Sequence, residues 1–336
     1  MKAYFLIVEG WPGVATALRS IQKILKSQYP DIVIENIGFE SGKLSFSTIR
    51  KLKQEPADLI FLGGWDNNVK LLVHNAVNPD TKITLLWCSP IVQTDLGGEI
   101  SRFMEVLDFV KSGYIDNLGI LLDYDYEFLK GLSPSVKYLP VWMDTDELDG
   151  ISGVKLEEGF IHADIFCAPC SRKNVFLQMM ALLKYKEKVK LHVNYMPNPN
   201  TMSYIGLGNK YFNDNFINHL WMNRKSYLSH VKSMDIGLQV TLSESYNYTA
   251  GEHLYLGTPI LLSKSTPISR NLPEGLDILI VDDYTNVSEV SKKIASISSI
   301  KDKKELSELC SEGIKSYNLR QKEILSQNLI NIIKEK

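Results

Sequence analysis

Glu244 and Glu252 stand with seven residues between them, on either side of Ser245-Tyr246-Asn247-Tyr248-Thr249. Ionised carboxylates only accept hydrogen bonds, so they suit partners rich in hydroxyls, such as a sugar or a ribose. The apolar run 236–242 ahead of Glu244 reads as a buried strand. A helix is expected to open near Asn247, carry Glu252, and stop at Gly257-Thr258-Pro259 before a second strand at 260–262. In such a βαβ unit ligands bind at the carboxyl end of the first strand. The helix start there offers free N–H groups and a positive dipole end to a phosphate. The backbone of Ser245, Tyr246, Asn247, Tyr248 and Thr249 is therefore a candidate anion cradle. Arg172 and Lys173 follow another apolar stretch, 159–166, and open a helix, so they are expected at the same edge. A fixed cation beside a departing diphosphate stabilises the charge that develops on it. The competing reading is a basic first turn at the surface.

The first half carries weaker candidates. Gly10 and Gly13 flank a turn before a helix, where backbone could approach a ligand closely, but the third glycine of a dinucleotide fingerprint is missing. A plain tight turn is the simpler reading. Trp65-Asp66 follows a strand, and an aromatic beside a carboxylate suits a sugar ring; a packed core tryptophan fits the same residues. Ser89, at another strand end, offers a hydroxyl. Asp123-Tyr124-Asp125 has the Asp-x-Asp spacing that holds a divalent cation on a diphosphate in metal-dependent transferases, and is also a common solvated turn. Cys167 and Cys170 form a CxxC without a second pair and read as packing thiols. His162, His192, His219 and His230 read as isolated structural or solvated histidines.

These residues need a frame, and the apolar runs supply it. Strands are expected at 3–8, 32–37, 58–63, 82–88, 118–122 and 136–142, with helices at 14–26, 45–54 and 99–110 between them. After an acidic, Gly- and Ser-containing stretch at 144–158, the alternation resumes: strands at 159–166, 189–195, 235–241 and 278–281, helices at 175–185 and 224–233, and a helical tail from 287 to 333. Residues 196–215, rich in Asn, Pro and Gly, read as a long loop. Strand and helix in alternation mean parallel sheets covered on both faces. The expected division is an N-terminal Rossmann-like domain over 1–143, a linker over 144–158, a second such domain over 159–315, and a C-terminal helix over 316–336 packing back on the first.

With 336 residues, 44% hydrophobic and 23% charged, the chain is globular and long enough for two domains. A formal charge of −2 gives no general pull toward nucleic acid or anionic membrane. No run approaches the ~18 apolar residues of a membrane span, and the N-terminus reads as a strand rather than a signal peptide. The expected location is cytoplasmic.

Glu244-x7-Glu252 followed by Gly257-Thr258-Pro259 resembles the signature of the retaining glycosyltransferases of family 4. Further likeness lies in the glycine turn at Gly10 and Gly13, in Pro140 followed by Asp144, and in Arg172-Lys173-Asn174. The chain departs from the family's pattern at Trp87-Cys88-Ser89, where a histidine is usual, and at 168–170, where the strand-end arginine is usual. The resemblance implies a GT-B fold: two doubly wound Rossmann-like domains facing each other across a cleft. It implies a metal-independent, retaining transfer with no cofactor beyond a nucleotide-sugar donor of UDP or GDP type. Glu252 would take the ribose hydroxyls and Glu244 the donor sugar, while Lys173, Arg172 and the 245–248 backbone take the diphosphate. Gly13 would lie by the donor, and Gly10, Trp65, Asp66 and Ser89 would line the acceptor or sugar cleft. The acceptor stays open among glycan, lipid-linked sugar, protein, small molecule and modified nucleic-acid base. The alternatives are a nucleotide-sugar epimerase, a non-catalytic sugar-binding relative, and a metal-dependent transferase built on Asp123 and Asp125.

Overall fold

Strands buried on both faces must be apolar throughout, and the chain's short apolar runs meet that demand twice over. The computed structural model describes residues 1–9, 12–40, 45–75, 78–96 and 98–335, and the chain divides into two compact units. The first comprises Met1–Met143 and Asn318–Lys336, the second Asp144–Tyr317.

In the first unit the order is β1 (Lys2–Glu9), α1 (Pro12–Gln28), β2 (Val33–Glu40), α2 (Phe46–Gln54), β3 (Leu59–Gly63), α3 (Asn67–Asn75), β4 (Lys82–Trp87), α4 (Ile91–Leu96), α5 (Ile100–Lys111), β5 (Asn117–Ile120), α6 (Asp123–Leu129) and β6 (Val136–Tyr138). The strands lie in the order β2-β1-β3-β4-β5-β6, every pairing parallel. All five residues of β3 are buried, as a central parallel strand requires. Leu18, Ile21 and Leu25 put one face of α1 into the core. At Gly63 a Cβ would collide with Val14 of α1, so the glycine permits that close approach. Helix α3, which the sequence pattern missed, is started by Asp66, whose Oδ1 accepts from the Asn68 and Val69 N–H groups at 2.9 Å.

The second unit continues with β7 (Ile161–Ile165), a 3₁₀ turn (Ser171–Lys173), α7 (Val175–Leu182), β8 (Val189–Val193), α8 (Met202–Phe212), β9 (Phe216–Asn218), α9 (Arg224–Ser233), β10 (Ile236–Gln239), α10 (Tyr248–Tyr255), β11 (Ile260–Ser263), β12 (Ile280–Val281), α11 (Val287–Ser298) and α12 (Lys303–Lys334). Its parallel sheet runs β12-β11-β10-β7-β8-β9. One expectation is corrected here. The long loop at 196–215 contains α8: Gly208 lies so close under the Phe216 ring that a Cβ would clash, and Phe212 is buried. Tertiary packing thus overrides a composition poor in helix formers. The 144–158 stretch, expected as a linker, is bonded to the second unit. Val154 N–H donates to Ser233 Oγ at 2.7 Å, Lys232 Nζ to the Ile151 carbonyl at 2.6 Å, and Leu148 is buried.

Helix α12 has buried residues at 306, 310, 314 and 317 in the second unit and at 321, 325, 329 and 332 in the first. In the first unit Asn318 bonds the Met143 backbone twice, at 2.8 and 2.7 Å, and Asn328 Nδ2 donates to the Tyr138 carbonyl at 2.7 Å. Among the described residues no helix is long and apolar enough to cross a membrane.

Candidate functional site

Two polar turns meet at the carboxyl edge of the second sheet. Leu242 N–H donates to the Arg172 carbonyl at 2.7 Å, joining the segment after β10 to the one after β7. Buried Gln178 of α7 braces both: its Nε2 donates to the Lys173 carbonyl at 2.7 Å, and its Oε1 accepts from Val240 N–H at 3.0 Å. Asn174, in the left-handed conformation at φ 51°, turns the chain from the 3₁₀ turn into α7. The side chains of a sequence-distant pair of turns are thereby fixed against each other.

The result is a charge cluster. Glu244 is only 5% exposed, and its Oε1 accepts from Lys173 Nζ at 2.6 Å and Arg172 Nη1 at 3.0 Å. A buried carboxylate is stable when paired and hydrogen-bonded in this way. The two cations share one carboxylate, so the cluster keeps a net positive charge. Nearby, Ser243 Oγ and Tyr246 OH are buried without a hydrogen-bond partner among the described residues.

Helix α10 opens at Asn247, which sits at φ 75° and accepts from Ala250 N–H through Oδ1 at 3.1 Å. Its Nδ2 donates to Gln239 Oε1 at 3.1 Å, tying the cap to the end of β10. Thr249 Oγ1 donates to the Phe166 carbonyl at 3.4 Å. The helix is held on the sheet by His253, whose Nε2 lies 2.8 Å from the fully buried Asp164 carboxylate while Nδ1 meets the Thr249 carbonyl at 2.7 Å. Gly237 leaves room for that imidazole. Burial disfavours the His253 charge, but the Asp164 carboxylate and its hydrogen bond outweigh it and raise the pKa above the ordinary value.

Glu252, also 5% exposed, is clamped from α9. Arg224 Nη1 donates to its Oε1 at 2.6 Å and Tyr227 OH to its Oε2 at 2.8 Å. Neither residue stood out in the sequence. Arg224 and Tyr227 are three apart on one helix face, which is the one signal that could have paired them. Trp221, in the segment before α9, is 80% exposed.

The structure brings Glu244, Arg172, Lys173, Glu252 and the 245–249 segment together at one edge of one unit. The described first-unit candidates follow β1, β3 and β4, adjacent parallel strands, and so share the carboxyl edge of the first sheet, but the side chains among them are engaged in packing and capping. Gly10 lies outside the described residues. Gly13 is exposed in the first turn of α1, with open space where a Cβ would stand. Trp65 is corrected from a sugar platform to a core side chain: it is 2% exposed, packs edge-on against Phe109, and donates from Nε1 to Glu105 Oε2 at 2.7 Å. Asp66 caps α3, and Ser89 Oγ donates to Glu99 Oε2 at 3.0 Å. Asp123 and Asp125 fall in the first turn of α6, where buried Asp125 accepts from Ile91 N–H at 3.0 Å. Among the described residues no group of three or more His, Cys, Asp or Glu side chains is placed to hold a metal ion. Cys167 is buried, its thiol pushed up to about 12 by burial, while Cys170 is exposed; both are free.

The four histidines read as isolated are instead contiguous. His162 Nε2 meets the Glu157 carbonyl, His162 Nδ1 meets His192 Nε2, and His192 Nδ1 meets His219 Nε2, each at 2.8 Å. His230 packs edge-on to His219. Since a carbonyl only accepts, His162 donates from Nε2, and the neutral chain then runs Nε2–H to Nδ1 throughout. Of the remaining two histidines, His253 lies in the second unit and His74 packs edge-on against Phe109 and Tyr114.

Two six-stranded parallel sheets flanked by helices, with a polar site at the carboxyl edge of the second, define a doubly wound α/β protein of the GT-B fold. Solved structures of that fold match the whole chain. An α,α-trehalose-phosphate synthase (UDP-forming) from Burkholderia vietnamiensis superposes with a TM-score of 0.71 at 10% identity, covering 100% of both chains. A sucrose-phosphate synthase from Thermosynechococcus elongatus gives 0.73 at 13% identity, over 98% of this chain and 100% of that one. A trehalose-6-phosphate protein from E. coli bound with UDP-2-fluoro glucose gives 0.73 at 12% identity over 100% of both. No family model and no curated protein sequence matches the chain.

Proposed function

We propose that this chain is a retaining glycosyltransferase that takes a sugar from a nucleotide-sugar donor held by its second unit. The observation that carries the reading is the pairing of buried Glu244 with Lys173 and Arg172 beside the start of α10. These cations and the first-turn N–H groups of α10 receive the diphosphate and stabilise it as a leaving group. Glu244 then turns to the hydroxyls of the donor sugar, and Glu252 accepts from the ribose. Leaving-group stabilisation and positioning carry the reaction, so the residues named supply orientation and charge rather than a covalent nucleophile. UDP is the favoured carrier because the likenesses include a UDP-forming synthase and a structure bound with UDP-2-fluoro glucose. The reaction needs no metal in this reading, since lysine and arginine do the work a divalent cation does elsewhere.

The test is calorimetric titration with UDP, GDP and their glucose conjugates, followed by assay of UDP or GDP release with and without EDTA. Micromolar nucleotide binding and EDTA-insensitive release are expected. A chain that binds none of these ligands is not a glycosyltransferase of this kind. Binding without turnover for any sugar tried favours the non-catalytic relative.

A further inference from the structure

Glu252 can serve as an acceptor only if its oxygens are held in place, because burying a carboxylate without partners is costly. Helix α9 supplies those partners. Asn223 caps it, accepting from Ser226 N–H at 2.9 Å, and so fixes the first turn that carries Arg224. Arg224 is anchored at two points: Nε donates to Glu147 Oε2 at 3.2 Å and Nη1 to Glu252 Oε1 at 2.6 Å. One turn further on, Tyr227 packs on the Phe166 ring and gives its hydroxyl proton to Glu252 Oε2 at 2.8 Å. The phenol stays protonated, since burial and then the Glu252 charge drive its pKa well above the ordinary value.

A carboxylate has about four lone-pair positions, two on each oxygen. Arg224 and Tyr227 each take one, from different oxygens. Among the described residues these are the two hydrogen bonds to the carboxylate, which leaves an acceptor position on each oxygen. Two neighbouring hydroxyls that both donate are the matching partner. A single hydroxyl satisfies half of it. We propose that Arg224 and Tyr227 are positioning residues that set Glu252 for the 2′,3′-diol of a ribonucleotide and make the site discriminate against 2′-deoxyribose. This rests on the nucleotide-sugar reading above and adds to it the residues that decide which pentose is accepted.

Binding of UDP, 2′-deoxy-UDP and inorganic pyrophosphate to wild type, Arg224→Gln, Arg224→Lys and Tyr227→Phe tests the assignment. Wild type is expected to prefer UDP by ~10-fold or more, the order of one hydrogen bond to a charged group. Arg224→Gln and Tyr227→Phe are expected to weaken UDP and bring the ratio close to one, with pyrophosphate affinity unchanged because Arg172 and Lys173 are untouched. Arg224→Lys, which keeps the charge without the fork, is expected to recover part of the ratio. Variants that keep the wild-type ratio overturn the proposal. So does loss of pyrophosphate binding together with UDP binding, which would mark the pair as structural; the near-isosteric Tyr227→Phe guards against simple misfolding. Wild type that binds pyrophosphate and both nucleotides equally overturns this inference alone, whereas wild type that binds none of the three overturns the glycosyltransferase reading beneath it.

Discussion

Glu244 spends its ligand-free state as a counter-ion. Lys173 and Arg172 both rest on its Oε1, in the place where the proposed diphosphate would bring four oxygens of its own. A phosphate must therefore compete with an internal carboxylate for the same two cations. Glu244→Gln removes the competitor and keeps the shape. Its expected signature is divergent: turnover falls by about 10²-fold or more, as for loss of a group that orients the reacting centre, while affinity for UDP or pyrophosphate holds or rises. Calorimetry beside a steady-state assay reads both. Lys173→Ala should do the reverse to binding, weakening nucleoside diphosphate by about 10-fold or more and flattening its salt dependence. Normal turnover in Glu244→Gln would remove this carboxylate from the mechanism.

At the scale of elements, the histidine chain links β7, β8, the end of β9 and α9. Burial, with the neighbouring His219 and His162, pushes His192 down to about 3; burial and His230 push His219 down to about 4. Both rings are thus neutral in the folded chain at pH 5, where an unfolded histidine of ordinary pKa about 6.5 is mostly charged. The unfolded state binds more protons in that window, so stability rises with pH between about 4 and 6.5 and is lost as pH falls through it. A chain of rings in which every neutral donor already faces an acceptor has no room for an extra proton. Urea midpoints should fall from pH 7.5 to pH 5, and His192→Leu should make the decline shallower. His253 has the opposite sign. Its pKa is raised, so its contribution is complete below the ordinary value and fades as pH climbs through the raised one.

At the scale of the molecule, α12 is one continuous helix whose buried stripe serves two cores. Residues 306, 310, 314 and 317 are buried in the second unit; Leu325, Leu329 and Ile332 are buried in the first. Each of those three contributes about 1.5–3 kcal/mol by burial, and Lys82 Nζ also holds the helix end through the Ile332 carbonyl at 3.0 Å. A chain cut after Tyr317 should therefore lose protection selectively. Hydrogen exchange is expected to accelerate in β4, β5 and β6, beside the lost Asn328 and Lys82 contacts, while β7, β8 and β10 keep their protection. Uniform acceleration across both sheets would show that the helix end stabilises more than the first unit.

The alternation of buried strands and amphipathic helices was legible in the chain itself, because a strand covered on both faces must be apolar and a helix on one face must repeat every three to four residues. The Glu244 and Glu252 pair with its flanking strand and Gly257 stop was legible for the same reason: spacing within one βαβ unit is local. Helix α8 was not, since it is seated by the ring of Phe216 over Gly208 and by the burial of Phe212, contacts that its composition does not announce. Trp65 and the four histidines were not, because a residue type states what a side chain can do and only packing states whether its face or its nitrogen is free. Arg224 and Tyr227 lie 28 and 25 residues before Glu252, and no periodicity spans such a gap. The sequence by itself determined the two sheets and the carboxylates of the site. The tertiary structure decided which cations hold each carboxylate, because those bonds form only when turns distant in the chain are brought to one sheet edge.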